Sequence, residues 1–458
     1  MKVQLKVEKV FIIIAIFFGI IYGIITPPFQ SVDEANHFFR SYAISEGLFI
    51  AENNNNNIGS YLPESLSKLN QNYSYLIKNI TQKTSVDQLK KSLKIKTNKT
   101  KKFIHYPNTA LYSPIAYIPQ SIGIIIGKIL HTPTLIALYL ARFLNLILYT
   151  ILGYYAIKHI PFLKIATFLL LLSPMNLSLG CSCSTDATLI GISILFTAKI
   201  FEYAFDKTES LTYKDYFLLS ILLFILALTK HNFYLIPLLF LIPKEKFKNK
   251  YLIKITSIIL PSIIGCIIWS DMIKDLYVPL NSNANMYSQA DFIIHNPIKY
   301  IWILTITTIV KFFRLLITSI GVLGWQDTKL DNLTYIIYPI LISISIIYNG
   351  IKDFIIHNYQ KYIIIITAIT GYVIISTYLY LAWSNVGSLI ITGLNGKYYT
   401  PLLIPIFAVI AALIKYKKDE NYKIFNISAI SITLILFSGA ISILTRFYDI
   451  FPNLYYQI

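Results

Sequence analysis

The sequence is poor in charged residues. Only 14% of its 458 residues are Asp, Glu, Lys or Arg, whereas a soluble domain usually carries about 25%. Apolar residues make up 55% of the chain, and apolar stretches of nearly membrane-spanning length recur along it. These features exclude a soluble enzyme, a nucleic-acid-binding domain, a disordered chain and a protein with a single membrane anchor.

Two further structural features are missing. The alternating segments of about ten residues that build a membrane β-barrel are absent, which leaves the helix as the element that can satisfy its backbone hydrogen bonds in lipid. The three cysteines form no framework, since Cys181 and Cys183 are two residues apart and could at most make a strained bridge, and Cys266 is distant. The sequence therefore predicts an all-α polytopic integral membrane protein with about 11–13 transmembrane helices.

The charge that is present is mostly positive. Forty Lys and Arg stand against 22 Asp and Glu, a net charge of +18. Cytoplasmic loops accumulate Lys and Arg, and anionic lipids attract them. We therefore expect a multi-pass protein of the cell membrane, with membrane lipid and no nucleic acid among its partners. The short basic N-terminus is expected in the cytoplasm, and the first helix, 9–26, is expected to remain uncleaved because no small-residue site follows it.

A long polar stretch, 27–111, follows the first helix and is expected outside. Its middle, from Asn53 to Lys102, is low in complexity and is expected to be mobile. Segment 112–130 is interrupted by Pro114 and Pro119 and predicts a helix in the outer interface. The first extracytoplasmic loop would then extend over 27–134.

Two regions are poor candidates for a simple crossing. The runs 216–228 and 233–243 are short for spanning helices and predict a hairpin with Lys230 near its outer tip. Region 298–320 contains three basic residues, and the sequence leaves open a re-entrant segment, an interfacial helix or a short hairpin.

The other predicted helices follow the distribution of lysine. They are 135–155, 164–180, 187–205, 251–270, 332–349, 361–382, 398–415 and 424–444. The expected outer segments beyond the first loop are 181–186, 271–297 and 383–397. The expected cytoplasmic segments are 158–164, 206–215, 244–250 and 415–423.

Unusual polar residues begin just after the first helix. If a helix starts near Ser31, that residue caps it, Glu34 completes a capping box, and Asp33, His37 and Arg40 lie on one face. An Asp beside His and Arg at a membrane surface is typical of a general base with electrostatic support. Helix-terminal acids that are favoured by the helix dipole and paired with Arg would show the same pattern.

Polar or charged residues stand beside apolar runs at three further positions. Asp186 begins a helix, Lys230-His231 separates two apolar runs, and Lys397-Tyr398 stands at the mouth of a helix. A Lys near the membrane interior is costly and usually has a partner, which favours a functional role over snorkelling to the surface. The segment 321–327 is a weaker candidate, because an aromatic-belt position explains its Trp almost as well.

Short motifs follow one another along the chain in this order: Asp33-Glu34 with His37 and Arg40, Leu111–Tyr117, Ala141-Arg142-Phe143, Ser173-Pro174-Met175 ahead of Asp186, Leu228-Thr229-Lys230, and Gly393-Leu394-Asn395-Gly396-Lys397-Tyr398. Over about residues 10–405 this order resembles the type-C glycosyltransferases (GT-C). Within that superfamily it is similar to the bacterial membrane proteins catalogued as domain of unknown function 2142. Their late Gly-x-x-Gly-Arg-Tyr element has Lys397 here in place of Arg.

The resemblance implies a GT-C-like catalytic module over residues 1–405, followed by C-terminal transmembrane helices over 406–458. It implies a sugar donor carried on polyprenyl phosphate, a glycan or lipid-linked acceptor of the cell envelope, and inversion at the anomeric carbon. Carried over, Asp33 is the general base, and Glu34 and Asp186 are further catalytic acids. The residues expected to bind donor phosphate or substrate are His37, Arg40, Tyr112, Lys230, His231, Lys397 and Tyr398.

Several alternatives stay open. Asp33, Glu34 and Asp186 could hold a divalent cation such as Mg²⁺ or Mn²⁺, although their spacing does not require one, and the sequence contains no P-loop, dinucleotide turn or nucleophile elbow. A transporter or flippase of a lipid-linked saccharide is a second function, although no internal repeat supports it. A non-catalytic subunit of an envelope assembly is a third, and it would tolerate loss of Asp33.

Overall fold

The computed structural model describes residues 6–206, 210–230, 233–279, 283–348, 355–414 and 422–449. Helices dominate this part of the chain. They are α1 (Val7–Ile25), α2 (Glu34–Ser45), α3 (Glu64–Gln71), α4 (Val86–Ser92), α5 (Pro107–Ala110), α6 (Ile118–Ile129), α7 (Thr134–His159), α8 (Lys164–Leu171), α9 (Pro174–Gly180), α10 (Asp186–Phe205), α11 (Tyr213–Lys230), α12 (Tyr251–Met272), α13 (Met286–His295), α14 (Pro297–Ile320), α15 (Asn332–Ile347), α16 (Asn358–Trp383), α17 (Thr400–Leu413) and α18 (Tyr422–Phe447). The strands are β1 (Glu52–Asn54), β2 (Asn57–Pro63), β3 (Lys101–His105), β4 (Val322–Leu323) and β5 (Thr328–Lys329).

Eight helices in the described ranges are long and apolar enough to cross a membrane. The helical, polytopic class expected from the sequence is therefore confirmed. The expected total of about 11–13 crossings would also need shorter or more polar helices such as α11 and α15. The eight are α1, α7, α10, α12, α14, α16, α17 with the turn before it, and α18.

Helix α10 is the centre of the bundle. Eighteen of its 20 residues are buried, and it packs against α7, α11, α17 and the 3₁₀ segment Phe233–Leu241. A helix that is apolar on all sides is stable when other elements enclose it. Its first residue, Asp186, consequently lies inside the protein although it carries a charge.

Two of the segments expected in the cytoplasm, 206–215 and 244–250, meet at one end of the bundle, which we call the basic end; residues 415–421 of a third lie outside the described residues. The Lys246 ammonium donates to the carbonyl of Asp206 at 2.6 Å, and the Leu211 amide donates to the carbonyl of Lys246 at 2.8 Å. The chain therefore leaves this end in α11 and returns to it by Lys246. The predicted hairpin is confirmed, and Lys230 lies at the other end, which we call the site end.

The helix predicted over 164–180 is broken in the structure. Ser173 accepts a hydrogen bond from the Asn176 amide at 3.2 Å and caps α9, whose first residue is Pro174. Proline lacks the amide hydrogen that would continue α8, so the chain starts a new helix here. Helix α9 then leads to the site end at residue 181.

Helix α14 does not run between the two ends, although its length would permit it. Near its start the Tyr300 hydroxyl lies 2.5 Å from Thr377 Oγ1, in the last turns of α16. Just beyond its end, Trp325 Nε1 donates to the carbonyl of Phe29 at 3.0 Å. Both neighbours belong to the site end. The short hairpin considered for 298–320 is thus wrong, and a single helix along one end, as at a membrane interface, fits these contacts.

The segment predicted to be mobile, Asn53 to Lys102, is folded. Strands β1, β2 and β3 form an antiparallel sheet in which Ser60 faces Ile104. The apolar residues of the segment recur at the spacings of strands and helices, so they meet on one side and form a small core. The low-complexity composition of the segment does not show this spacing. Its fully buried members are Ile58, Leu62, Leu66, Leu69, Tyr73 and Leu76.

The end of α18 fastens this small domain to the bundle. Arg446 is fully buried and binds Asp327, with 2.6 Å between NH2 and Oδ2, and it also donates to the carbonyl of Leu76 at 2.8 Å. The weaker candidate segment 321–327 therefore has a structural role. The expected division at residues 405 and 406 falls inside α17, and α18 packs on α1. The C-terminal helices are consequently part of the same bundle.

The predicted helix over 112–130 is shorter in the structure. A 3₁₀ turn, Pro114–Tyr117, precedes α6, which packs closely on α7 because Gly123 has no side chain to meet Leu140. Four isoleucines on the other face of α6 are exposed, as on a helix at a membrane interface. They are Ile118, Ile122, Ile125 and Ile129. Its position in a membrane stays a prediction.

Candidate functional site

A cavity of about 230 Å³ opens at the site end. Elements that are far apart in sequence contribute its polar side: the start of α2, the start of α10, the end of α11 and the turn before α17. Its other side is apolar and aromatic and comes chiefly from α16. The polar and charged lining residues include Asp33, His37, Asn108, Tyr112, Asp186, Lys230, Lys397 and Tyr398.

Asp33 is the residue before α2, and its carboxylate is not used to cap that helix. Its backbone is left-handed, with φ of 58°, a conformation that Asp tolerates better than most residues and that often occurs at functional sites. The half-buried carboxylate lines the cavity instead. Burial raises the pKa of Asp33 above its usual value, against the opposing effect of Lys397 and Lys230. These are the properties of a general base.

His37 follows Asp33 by one helical turn and lines the same cavity. Its Nδ1 lies 2.8 Å from the Tyr117 hydroxyl, and its ring stacks on Tyr112. Burial, with the positive charge of Lys230, lowers the pKa of His37 to about 3. The imidazole is therefore neutral, and it can orient a substrate by hydrogen bonding but does not add a positive charge.

Asp186 lies between two lysines. Its Oδ1 is 2.5 Å from Lys230 Nζ, and its Oδ2 is 3.1 Å from Lys397 Nζ. Each ammonium also lies near an aromatic face, Lys230 at 5.5 Å from the ring centre of Tyr112 and Lys397 at 5.4 Å from that of Tyr398. Cation–π contacts and one shared carboxylate thus hold two positive charges at the cavity wall.

The Gly-x-x-Gly segment before Lys397 has a geometric reason. Gly393 has φ of +74°, which glycine adopts without strain. A Cβ on Gly396 would lie 2.0 Å from the carbonyl oxygen of Leu315, so only glycine fits beside α14. The Asn395 side chain then accepts from the Lys397 amide at 3.0 Å. This turn aims Lys397 at Asp186.

Glu34 does not belong to the cavity, and the predicted capping box is wrong. Ser31 makes no side-chain cap, and Glu34 is fully buried against Arg142, with 2.5 Å from Oε2 to NH2 and 2.8 Å from Oε1 to Nε. The role of catalytic acid does not fit this position, because the carboxylate has no contact with the cavity. Its remaining partners are the amides of Phe29 and Cys183, and Arg142 also donates to the carbonyls of Gly23, Thr26 and Pro27.

Arg40 was expected on one helical face with Asp33, but it is not among the residues that line the cavity. It is fully buried, and its guanidinium donates to the carbonyls of Phe49 at 2.7 Å and Tyr112 at 3.2 Å. It therefore ties the first loop together. A direct contact with donor phosphate, expected from the sequence, does not fit this geometry.

The three expected metal ligands are not brought together either. Asp186 is held by two lysines and Glu34 by Arg142, and in the described parts of the chain no three His, Cys, Asp or Glu side chains form a group that could hold a metal ion. The carboxylates therefore do not form a common ligand set. The three cysteines are free and buried. His231, which was also expected in the site, lies outside the described residues.

The apolar wall was not recognised in the sequence. Its residues repeat every three to four positions along α16, which is the spacing of one helix face and could have identified them. Tyr378 and Trp383 at its edge keep about half and 40% of their surface exposed, so the wall continues to the outside of the bundle. Its members are Ile374, Ile375, Tyr378, Leu379, Ala382 and Trp383, and Tyr277 and Val278 also line the cavity.

Comparison with known proteins identifies one family. The family model described as "Predicted membrane protein (DUF2142)" matches residues 16–439, which is most of the chain. No curated protein and no solved structure matches the chain significantly.

Proposed function

Since the chain belongs to the DUF2142 family of predicted membrane proteins, we propose that it is a membrane glycosyltransferase of the GT-C type. It transfers a sugar from a polyprenyl-phosphate donor to a glycan or lipid-linked acceptor of the cell envelope. One observation carries the proposal. The Asp33 carboxylate, which does not cap α2, lines the same cavity as the two lysines that bind Asp186.

Asp33 accepts the proton of an acceptor hydroxyl while that oxygen attacks the anomeric carbon. The bond from the anomeric carbon to the phosphate oxygen breaks, and the lipid phosphate leaves with the electron pair. Attack from the side opposite the phosphate inverts the anomeric centre. A raised pKa suits this role, because it makes the ionised carboxylate a stronger base than an ordinary aspartate.

Lys230 and Lys397 stabilise the charge that grows on the departing phosphate. Fixed positive groups in a site that excludes water stabilise a transition state more than they would in bulk solvent. Both ammonium groups are largely buried, since 19% and 8% of the two side chains are exposed. They need no rearrangement of water when the bond breaks.

The apolar wall of α16 supports a donor with a lipid chain. A polyprenyl chain can lie along this wall and leave the bundle past Tyr378 and Trp383, while the phosphosugar stays beside the lysines. Support for an extracytoplasmic site comes from the lysines at the basic end, since cytoplasmic loops are rich in Lys and Arg. The protein would then be a multi-pass protein of the cell membrane whose cavity faces outward.

The test uses the full chain in proteoliposomes with a panel of polyprenyl-phosphate sugars. We expect release of polyprenyl phosphate with one of them and a loss of at least ~100-fold in Asp33→Asn, since a positioned base contributes about 10²–10⁴-fold. Asp331→Asn is the matched control, because Asp331 also precedes a helix but lies outside the cavity and caps α15 at 3.2 Å.

Normal release by Asp33→Asn would remove the base assignment. Movement of the lipid-linked sugar across the bilayer without release of polyprenyl phosphate would favour a transporter instead. The sugar is identified in cells by the sugar-phosphate lipid that accumulates when the protein is removed.

A further inference from the structure

The Asp186 cluster, defined as Asp186 with Lys230 and Lys397, has unequal charges. Two ammonium groups contact one carboxylate, at 2.5 Å and 3.1 Å. An ammonium group has three hydrogen-bond donors. In the described part of the chain, each of the two ammonium groups donates to one acceptor, an oxygen of Asp186. Among the described residues four donors are therefore without an acceptor, and they need one because the cluster is buried.

No other described group balances the cluster by direct contact. Asp33 lines the cavity but forms no ion pair within 4.0 Å of either lysine among the described residues. His37 is neutral for the reason given above. The Asp186 cluster itself thus carries two positive charges and one negative charge, and the Asp33 carboxylate acts on it only at longer range.

From this geometry we propose that Asp186 is a specificity-determining residue, which makes the cavity select donors linked through one phosphate over donors linked through a diphosphate. The inference rests on the proposed function and adds the charge of its donor. A sugar-phosphate-lipid is a phosphodiester with one negative charge, which matches the single excess positive charge. A diphosphate-linked donor carries two, and its second charge would compete with Asp186 for the same ammonium groups.

The physical reason lies in the burial of the cluster. A charge in a site that excludes water is costly unless a partner balances it. Asp186 cannot move away from the lysines as a free counterion would, because it is the first residue of the enclosed helix α10. It acts therefore as a fixed negative charge that cancels one lysine.

The experiment measures binding to the full chain in nanodiscs by titration calorimetry. One probe is farnesyl methyl phosphate, a phosphodiester with one negative charge. The other is the corresponding farnesyl methyl diphosphate, with two. We expect wild type to bind the phosphodiester more tightly and Asp186→Asn to shift the ratio of the two dissociation constants at least tenfold towards the diphosphate. Glu202→Gln is the matched control, since Glu202 also accepts from a lysine, Lys199, but lies at the basic end.

A comparison of two variants that both lack Lys397 keeps the proposal falsifiable if Asp186→Asn alone, with its two unbalanced lysines, does not fold. Lys397→Gln leaves the cluster neutral and should weaken binding of both probes. Adding Asp186→Asn restores one excess positive charge and should recover the wild-type preference for the phosphodiester. Recovery would not occur if Asp186 only held the lysines in place.

The two possible failures differ. An unchanged ratio in Asp186→Asn, or no recovery in the double variant, overturns the role of Asp186 and leaves the donor site in place. If wild type binds neither probe, or if Lys230→Ala and Lys397→Ala bind both as wild type does, the donor site itself is wrong and the inference falls with it.

Discussion

Two clusters of buried opposite charges lie close to the site end, and they differ in how far their hydrogen-bonding capacity is used. In the Glu34–Arg142 pair both carboxylate oxygens and all three guanidinium nitrogens have partners at 2.5 to 3.1 Å. In the Asp186 cluster the two ammonium groups share one carboxylate and face a cavity. A saturated ion pair holds a fold together, whereas an unsaturated one that lines a cavity is prepared for a ligand.

Breaking the saturated pair should have the largest effect, on stability. Arg142→Ala leaves the Glu34 carboxylate buried without its partner, and such a loss costs about 3–5 kcal/mol. We expect little folded protein after solubilisation, measured by thermal unfolding in detergent. Arg314→Ala, an exposed arginine of α14, should unfold like wild type. Equal stability of the two variants would mean that Glu34–Arg142 does not hold the loop.

Removing a lysine from the Asp186 cluster should instead weaken binding of the lipid donor. Lys397→Ala removes one charged hydrogen-bond donor, worth about 1.5–3 kcal/mol, so we expect the KM for the lipid donor to rise about 10–100-fold. The KM for the acceptor should change little. Lys397→Arg should keep much of the donor affinity, because a guanidinium also binds phosphate. If alanine and arginine variants behave alike, Lys397 does not contact the donor.

The pH dependence of kcat/KM should show how the pKa of Asp33 differs from that of an ordinary aspartate. Because the base must be ionised, kcat/KM should rise with pH through the pKa of Asp33, which burial raises above the usual value of about 3.9. The acidic limb should therefore lie at higher pH than for a free aspartate. A profile whose limb lies at the free value, or one that persists in Asp33→Asn, would assign the limb to another group.

The smallest expected effect is a gain in stability. A carboxyl whose pKa is raised in the folded state contributes stability at low pH and loses it as pH rises through the folded value. Asp33→Asn removes this dependence, and the left-handed backbone tolerates Asn as it does Asp. We expect a rise in the unfolding temperature on the order of 1 °C at pH 7.5, and none at pH 3. A fall at neutral pH would show that Asp33 stabilises the fold.

Neighbouring residues show why the sequence predicted part of the site and missed the rest. Asp33 and Glu34 were both expected to act on substrate, yet Asp33 precedes α2 with a left-handed backbone and Glu34 is the first helical residue, so their side chains take different directions. Which of them enters the cavity depends on Arg142, more than 100 residues away. The same holds for Arg40, whose partners are loop carbonyls that no spacing rule identifies.

The sequence by itself determined the properties that depend on composition and local pattern. Long apolar runs require helices in lipid. The lysine distribution assigned the connecting segments to two sides of the membrane. Isolated charges beside apolar runs identified Asp33, Asp186, Lys230 and Lys397 as candidates. Only the tertiary structure decided which charges meet. It brought α10, α11 and the turn at Gly396 to one cavity, folded the small domain around Ile58 and Leu66, and laid α14 along the site end. The physical reason is that the free energy of a buried charge depends on its partners, and those partners come from segments that are distant along the chain.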